Sequence, residues 1–188
     1  MTWLLLATGC TGAMTVVFLF RLAARKIGGM PSVDVYFSPK GGCTDAVLAE
    51  VKKARREILV LAYSFSSKAI AQALVDAKTR GVHVEIILDR SQEVEKYSDL
   101  PFLLEQKLTP VIDAQHAIAH NKVMLIDQKT IITGSFNFTH QAETENGENL
   151  LIVKRHRDLM TLYRQNFHVH KNHSQPPGQA ATVQRQAA

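Results

Sequence analysis

The eighteen residues from His120 to Asn137, HNKVMLIDQKTIITGSFN, carry polar side chains at regular offsets through two apolar runs. His120 and Lys122 are two residues apart where the first run begins, and Ser135 and Asn137 are two apart after the second. Side chains two apart on a strand share a face, so each pair projects to one side. Pairing the runs across a short turn at 127–129 predicts a hairpin with all four side chains at one end.

An imidazole, an ammonium, a hydroxyl and a carboxamide at one place suit phosphoryl transfer. Lys122 would place a positive charge on the non-bridging phosphate oxygens, and Ser135 and Asn137 would add hydrogen-bond donors. These groups would stabilise the charge that develops in a pentacoordinate transition state. A neutral His120 can attack phosphorus and form a covalent adduct. Gly134 allows close backbone approach. Because the cluster supplies positive charge by itself, we predict no metal and no cofactor.

Taken singly, these residues have simpler interpretations. A lone histidine beside a strand is usually structural, Asp127 alone is a turn residue, and Glu148 alone is an acidic residue that begins a strand. The joint pattern therefore carries the prediction. The histidines His168, His170 and His173 are loosely spaced at the start of a polar tail, and we predict no functional metal site there.

Apolar periodicity around this segment predicts alternating strands and helices. Strands are predicted at 33–37, 57–65, 82–89, 110–114 and 148–153, and helices at 44–56, 67–81, 99–107 and 158–167. A strand–helix–strand order favours a right-handed crossover between parallel strands. The chain is therefore expected to form an α/β sheet covered by helices.

The composition is that of a folded domain with a mild excess of positive charge. Of 188 residues, 46% are hydrophobic and 21% charged, and the formal net charge is +5. The resulting pI of about 9.3 favours anionic partners such as nucleic acid or acidic lipid headgroups without choosing between them. Two cysteines give no disulfide framework and no metal knuckle.

The quoted segment resembles the HKD motif of the phospholipase D superfamily at every motif position. The matching residues are His120, Lys122, Asp127, Gly134, Ser135 and Asn137. The stretches FSPKGG, ILVLAYSFSS, RGVHVEIILD and GSFNFT also resemble small bacterial single-motif endonucleases of that superfamily. The mitochondrial cardiolipin hydrolase branch is similar over the same span, about 33–168. The resemblance implies an α/β fold, an α-β-α sandwich with a mixed β-sheet flanked by helices.

The resemblance also implies a role for each matching residue. His120 would be the nucleophile that forms a phosphohistidine, and Lys122 and Asn137 would bind the phosphate. Asp127 would be a structural or charge-orienting partner rather than a direct acid. Ser135 and Glu148 match positions that hydrogen-bond around the histidine, and Glu148 would hold the imidazole in its reactive tautomer.

This mechanism needs a second histidine to protonate the leaving oxygen and then activate water. The chain carries one HKD copy, so we predict a homodimer in which each protomer supplies its His120. The expected activity is a metal-independent phosphodiesterase, most simply a non-specific endonuclease on DNA or RNA. Phospholipase D or cardiolipin hydrolase activity on membrane phospholipid is the alternative, and a non-catalytic phosphate-binding module would not need the nucleophile.

The N-terminus predicts a membrane or export function. Residues 3–20 carry no charge and are followed by Arg21, Arg25 and Lys26. A run of about eighteen residues is at the lower limit for a spanning helix, so an anchor, a cleaved export signal and a core helix all remain open. We predict an anchor or signal at 1–26 that contacts the membrane, a linker at 27–32, the catalytic domain at 33–170 and a disordered tail at 171–188. The location would be membrane-anchored or exported, with the side of the membrane open.

Overall fold

The computed structural model describes residues 30–179. Its strands are β1 Ser32–Phe37, β2 Glu57–Ala62, β3 Phe65–Ser66, β4 His83–Asp89, β5 Val111–Asp113, β6 Lys122–Ile126, β7 Thr130–Gly134, β8 Phe138–Thr139 and β9 Asn149–Lys154. Its helices are α1 Cys43–Lys53, α2 Lys68–Thr79, α3 Leu100–Glu105, α4 His140–Thr144 and α5 Arg157–His173, with a 3-10 turn at Arg90–Glu93.

Seven strands form one mixed sheet in the order β1-β9-β7-β6-β2-β4-β5. Strands β2, β4 and β5 run parallel, and the pairs from β1 to β2 through β9, β7 and β6 are antiparallel. Helix α2 makes the crossover from β2 to β4, as the strand–helix–strand order predicted. The remaining strands, β3 and β8, pair with each other in parallel.

Helices cover both faces of the sheet because the central strands are apolar on both sides. Val60 and Met124 point into one buried cluster, which also holds apolar side chains of α1 and α2. Their neighbours Leu59 and Leu125 point into a second cluster with Phe167 of α5. Such two-sided burial explains why β2 and β6 are continuously apolar in sequence. The predicted α-β-α sandwich with a mixed sheet is confirmed.

The hairpin of β6 and β7 is closed by a tight turn at Asp127 and Gln128. Both residues have positive φ, 52° and 57°, which is the backbone of a type I′ hairpin turn. The Asp127 carboxylate accepts backbone N–H bonds from Arg55 at 2.8 Å, Arg56 at 2.7 Å and Glu57 at 3.1 Å. This carboxylate therefore fastens the turn to the beginning of β2.

The C-terminal segment is more ordered than the sequence suggested. Helix α5 continues to His173, whereas its end was predicted near 167, and Gln175 pairs with Ile112 through two backbone hydrogen bonds. The disordered tail predicted from residue 171 is thus incorrect for 171–179, because long-range contacts to β5 hold this stretch. Residues 180–188 lie outside the described residues.

The apolar run at 3–20, on which the predicted anchor or signal rested, also lies outside the described residues. Between residues 30 and 179, no helix has the length and apolar character needed to cross a membrane. On this finding we correct the predicted membrane-anchored or exported location, because residues 30–179 supply no helix that could span a membrane.

The three N–H bonds to Asp127 predict a measurable stability cost when they are removed. Asp127→Ala should lower the free energy of unfolding by about 1–2 kcal/mol, since three backbone donors lose a charged acceptor at a partly exposed site. Urea unfolding followed by circular dichroism measures the change. Lys129→Ala, at an exposed neighbouring turn position, is the matched control and should change stability by less than about 0.5 kcal/mol. Equal stability of Asp127→Ala and wild type would contradict this role for the carboxylate.

Candidate active site

The candidate site forms where strand β2 ends and strand β6 begins. These strands are antiparallel neighbours with Ala62 opposite Lys122, so the residues just beyond them meet where the two strands end. We call this end of the sheet, which is formed by the ends of central strands, the sheet edge. The Tyr63 N–H donates to the Asn121 carbonyl at 2.7 Å and extends the pairing past the strand ends. His120 and Lys122 therefore lie at the same edge as the residues that follow β2.

His120 is exposed at this edge and is fixed by its neighbours. The Tyr63 ring meets its imidazole edge-on, with the ring centroids 4.6 Å apart. The preceding residue, Ala119, donates its N–H to the buried Asp89 carboxylate at 2.7 Å. The imidazole is thus held by packing and by its backbone while its surface stays open to a ligand.

Lys122 is almost fully buried, with 7% of its surface exposed. Its Nζ lies 3.3 Å from the His120 carbonyl oxygen and 5.0 Å from the centroid of the Tyr63 ring. Burial lowers the pKa of the Lys122 ammonium below its ordinary value, although the negative charge of Glu148 acts in the opposite direction. A partly desolvated ammonium at the sheet edge interacts strongly with an anion because little water screens it.

The second arm of the hairpin reaches the same edge through a close backbone approach. Gly134 has φ 144°, and a Cβ there would lie 2.3 Å from the Asn149 carbonyl oxygen, so no side chain fits. That carbonyl accepts the N–H groups of both Ser135 and Phe136 at 3.1 Å. The end of β7 is therefore clamped onto the beginning of β9.

Ser135 and Asn137 follow this clamp. The Ser135 hydroxyl accepts hydrogen bonds from Asn149, at 3.0 Å from the backbone N and 3.4 Å from Nδ2. The Asn137 Oδ1 atom is buried and has no hydrogen-bond partner within residues 30–179. This oxygen can accept a hydrogen bond from a donor group of a ligand, whereas a phosphate oxygen would be bound by the Nδ2 donor of the same side chain.

Glu148 lies beside the cluster but makes different contacts from those expected. Its carboxylate accepts a hydrogen bond from Asn146 Nδ2 at 3.2 Å, and its backbone exchanges hydrogen bonds with Ser38. Among the described residues it forms no hydrogen bond with His120, so the predicted tautomer-fixing contact is not formed. Glu148 instead acts on Lys122 through its negative charge, which partly offsets the lowering of the Lys122 pKa by burial. Ser135 likewise bonds to Asn149 rather than to the histidine.

Asp127 is separated from the other motif residues. It occupies the turn at the far end of β6, and a five-residue strand puts roughly 17 Å between the two ends. The structure therefore brings together His120, Lys122, Ser135, Asn137, Gly134 and Glu148, and it places Asp127 at the opposite edge as a structural anchor. Asp127 was expected to be a structural or charge-orienting partner rather than a direct acid, and the catalytic roles of all these residues stay predictions.

Tyr63 and Asp89 are site residues that the sequence analysis missed. Tyr63 contacts both His120 and Lys122, and Asp89 supports the backbone just before His120. Tyr63 directly follows β2 and Asp89 is the last residue of β4, and these two buried strands are parallel. The carboxyl ends of such strands commonly build sites, and this was the signal that could have found them.

Comparison with known proteins places this site within a family. Residues 47–171 match the family described as "Cardiolipin synthase, PLD-like domain". A phospholipase D of Rickettsia prowazekii is 42% identical over 143 residues, which cover 76% of this chain and 69% of that protein. A mitochondrial cardiolipin hydrolase of Xenopus tropicalis is 28% identical and is matched over 73% of this chain and 62% of its own length.

Two solved structures are also similar to this chain. Nuc, a phospholipase D family member from Salmonella typhimurium, superimposes with a TM-score of 0.74 at 34% identity, covering 78% of this chain and 98% of that one. NucT from Helicobacter pylori shares the fold, with a TM-score of 0.72 at 21% identity over 78% of this chain and 99% of its own. With an HKD cluster at the sheet edge and these relatives, the chain belongs to the phospholipase D superfamily of phosphodiesterases.

Proposed function

We propose that this protein hydrolyses phosphodiester bonds of DNA or RNA through a phosphohistidine at His120, without a metal in the reaction. The observation that carries the proposal is the convergence of an exposed imidazole, a buried ammonium and the Asn137 carboxamide at one sheet edge. These groups supply a nucleophile and charge stabilisation within one cluster.

The reaction would proceed in two balanced steps. In the first, the His120 imidazole forms a bond to phosphorus while the bond to the leaving oxygen breaks and that oxygen takes a proton from a second imidazole. In the second, the deprotonated second imidazole accepts a proton from water, the water oxygen bonds to phosphorus, and the phosphorus–nitrogen bond breaks. The enzyme returns to its starting protonation state.

Lys122 and Asn137 would stabilise the charge on the non-bridging oxygens. The ammonium of Lys122 is held between the His120 carbonyl and the Tyr63 ring, so its position requires little reorganisation during the reaction. Preorganised donors in a poorly hydrated site are the largest single source of rate enhancement in many enzymes. The arrangement therefore gives both residues a part in transition-state binding.

The second imidazole would come from another copy of the chain. Val33, Val35 and Phe37 of the edge strand β1 are all about half exposed or more, and as alternate residues they share one face of the sheet. Phe37 pairs with Asn149, which bonds Ser135, so this apolar row runs up to the edge that carries the site. Burial of the row against a second copy is a physical driving force for a dimer.

Two observations favour nucleic acid as the substrate. His120 lies on an open surface, which is accessible to a polymer strand, and the net charge of +5 attracts a polyanion. The likeness to Nuc over nearly its whole length is consistent with this choice. Phospholipid is the second candidate, because Rickettsia relatives at 42–43% identity carry the name phospholipase D.

The central role of His120 predicts near-complete loss of activity on its removal. His120→Ala should lower cleavage of plasmid and single-stranded DNA by at least about 10⁴-fold, because the covalent step is removed. The full-length protein is assayed with a chelator present, and circular dichroism verifies that it stays folded. Acid-labile, base-stable phosphate on the wild-type protein would identify the phosphohistidine.

A matched control is His140→Ala, which removes another exposed histidine near the end of β8. It should retain activity within about twofold, as expected for a surface substitution. If the wild type, folded and chelator-treated, leaves nucleic acid intact but cleaves cardiolipin vesicles, the nucleic-acid substrate is wrong. DNA cleavage that survives His120→Ala would instead exclude the proposed nucleophile.

A composite site predicts a specific dose dependence in mixed dimers. Wild-type and His120→Ala chains with different tags are exchanged in equal amounts, and the mass is checked against twice the 20.9 kDa chain. If each site needs both imidazoles, only dimers of two wild-type chains are active. The activity should then be about one quarter of that of the same total amount of wild-type protein. A fall to one half, or full activity from a monomer, would show that one chain suffices.

Burial of Lys122 predicts opposite effects on activity and stability. Lys122→Met should lower turnover by about 100- to 1000-fold, as for loss of one preorganised charge-stabilising donor, yet raise the Tm at neutral pH by removing a desolvated charge. The pKa of Lys122 is lower in the folded protein than in the unfolded chain. Between these two pKa values the unfolded chain binds more protons than the folded protein, so wild-type stability increases as the pH rises through this range. The Tm difference should therefore shrink between neutral and alkaline pH.

Thermal unfolding at several pH values measures this effect. Lys129→Met, at the exposed turn, is the control and should leave both activity and Tm close to wild type. A Tm below wild type for Lys122→Met at neutral pH would contradict the assigned desolvation cost.

A further inference from the structure

A second cluster of titratable side chains lies at the same edge of the sheet, away from the HKD residues. Asp113 ends β5, His116 follows it in the loop, and His170 and His173 occupy the last turn of α5. One donor atom from each of these four residues lies within 4.8 Å of all the others. Three strand spacings separate β5 from β6, about 14 Å, so this cluster is distinct from the candidate active site.

The cluster crowds three imidazole nitrogens around a single carboxylate oxygen. Asp113 Oδ2 lies 2.5 Å from His170 Nδ1, 3.0 Å from His116 Nδ1 and 3.2 Å from His173 Nε2. A carboxylate oxygen offers two lone pairs, so it cannot accept good hydrogen bonds from all three rings. Accordingly, His173 Nε2 is buried without a hydrogen bond within residues 30–179, although it faces the carboxylate.

Asp113 is built to remain an anion in this position. Its side chain is completely buried, and Oδ1 also accepts the N–H of Gln115 at 3.1 Å. Burial alone would raise the pKa of the carboxyl, but the hydrogen bonds from His170 and His116 and the close approach of the His173 ring outweigh it and lower the pKa to about 2. A buried carboxylate of this kind requires positive charge beside it.

The three imidazole rings lie close to one another around the carboxylate. The ring centroid of His116 lies 4.8 Å from that of His170 and 5.1 Å from that of His173. The centroids of His170 and His173 are 5.6 Å apart. A single cation placed among the four donor atoms would satisfy the carboxylate and use the lone pairs of neutral rings.

We propose that Asp113, His116, His170 and His173 bind one Zn²⁺ ion as a structural site. Three nitrogens and one oxygen in tetrahedral arrangement are a donor set that zinc prefers. Zinc bonds of about 2.0–2.2 Å imply donor separations of about 3.3–3.5 Å in a tetrahedron. The three nitrogens lie 2.5–3.2 Å from Asp113 Oδ2, and all four donor atoms lie within 4.8 Å of one another, so small side-chain movements would bring them to tetrahedral separations.

Four protein ligands close the coordination sphere, which is typical of a structural rather than a catalytic zinc site. The ion would join the end of α5 to β5 and to the loop that continues to His120. His116 is 45% exposed, which leaves an entry path to an otherwise buried site. This inference is independent of the proposed reaction, because none of the four residues belongs to the HKD cluster.

The sequence pattern carries the same information in two short pieces. Asp113 and His116 are three residues apart, as are His170 and His173, and the latter pair shares one helix face. We predicted no metal site at these histidines because His173 was assigned to a disordered tail. The ordered end of α5 reverses that interpretation.

The test measures zinc itself on the full-length protein. Wild type, His116→Ala, His173→Ala and the control His168→Ala are stripped with a chelator, reloaded with ZnCl₂ and dialysed, and bound zinc is quantified by elemental analysis. His168 is an exposed residue on the same helix. His120→Ala is included because a catalytic imidazole can also attract zinc.

The expected result is one tightly held zinc per chain in wild type, His168→Ala and His120→Ala. His116→Ala and His173→Ala should bind zinc more than about 100-fold more weakly, since even changes outside the ligand sphere cost 10- to 100-fold. Zinc at 100 times its Kd should raise the wild-type Tm by roughly 5–10 °C. Bound Co²⁺ should give the intense visible absorption of a tetrahedral ion.

Two results would overturn the zinc site. The first is a folded wild-type protein that retains much less than one zinc per chain and shows no Tm change with zinc, which would leave a hydrogen-bonded Asp–His cluster. The second is equal zinc retention by His116→Ala and wild type, which would place the ion elsewhere. His116 is in an exposed loop, so its substitution is expected to leave the fold intact and the comparison valid.

Discussion

The pairing of β2 with β6 is the constraint on which the rest of the structure depends. β2 is parallel to β4 on one side and antiparallel to β6 on the other, so it is the junction between the two halves of the sheet. At this junction the carboxyl end of β2 meets the amino end of β6. Ligand sites in α/β sheets form at such changes of direction because the connecting segments diverge there. The apolar residues of both strands therefore determine where the polar HKD side chains can meet.

The site is maintained against several local energetic costs. Lys122 keeps an ammonium in a position where burial disfavours its charge, and the buried Oδ1 of Asn137 has no hydrogen-bond partner among residues 30–179. These costs are tolerated because the strands beside them are fully buried and well paired. The ammonium of Lys122, held in this way, suits an anion that supplies the missing opposite charge.

Local periodicity and turn chemistry made much of the fold predictable. Two apolar runs on either side of a short polar turn located the hairpin, and other apolar runs located β2, β4 and β9 to within a few residues. Contacts between distant residues were not predictable in this way. Glu148 bonds Asn146 and Ser38, and Asp113 meets His170 across 57 positions of sequence. Such pairings depend on how elements pack, and an isolated polar tail gave no sign that its first residues face a buried carboxylate.

The two ends of the hairpin have separate physical tasks. At the turn, Asp127 satisfies three backbone donors of the segment leading into β2 and so fixes the hairpin's register against its neighbour. At the open end, Asp89 holds the backbone beside His120. Between them runs β6, whose five residues are all buried, so displacement of one end along the strand would disturb core packing throughout. The proposed nucleophile His120 can thus remain exposed while its backbone is positioned from both sides, and this rigidity would allow an open surface site to orient an imidazole.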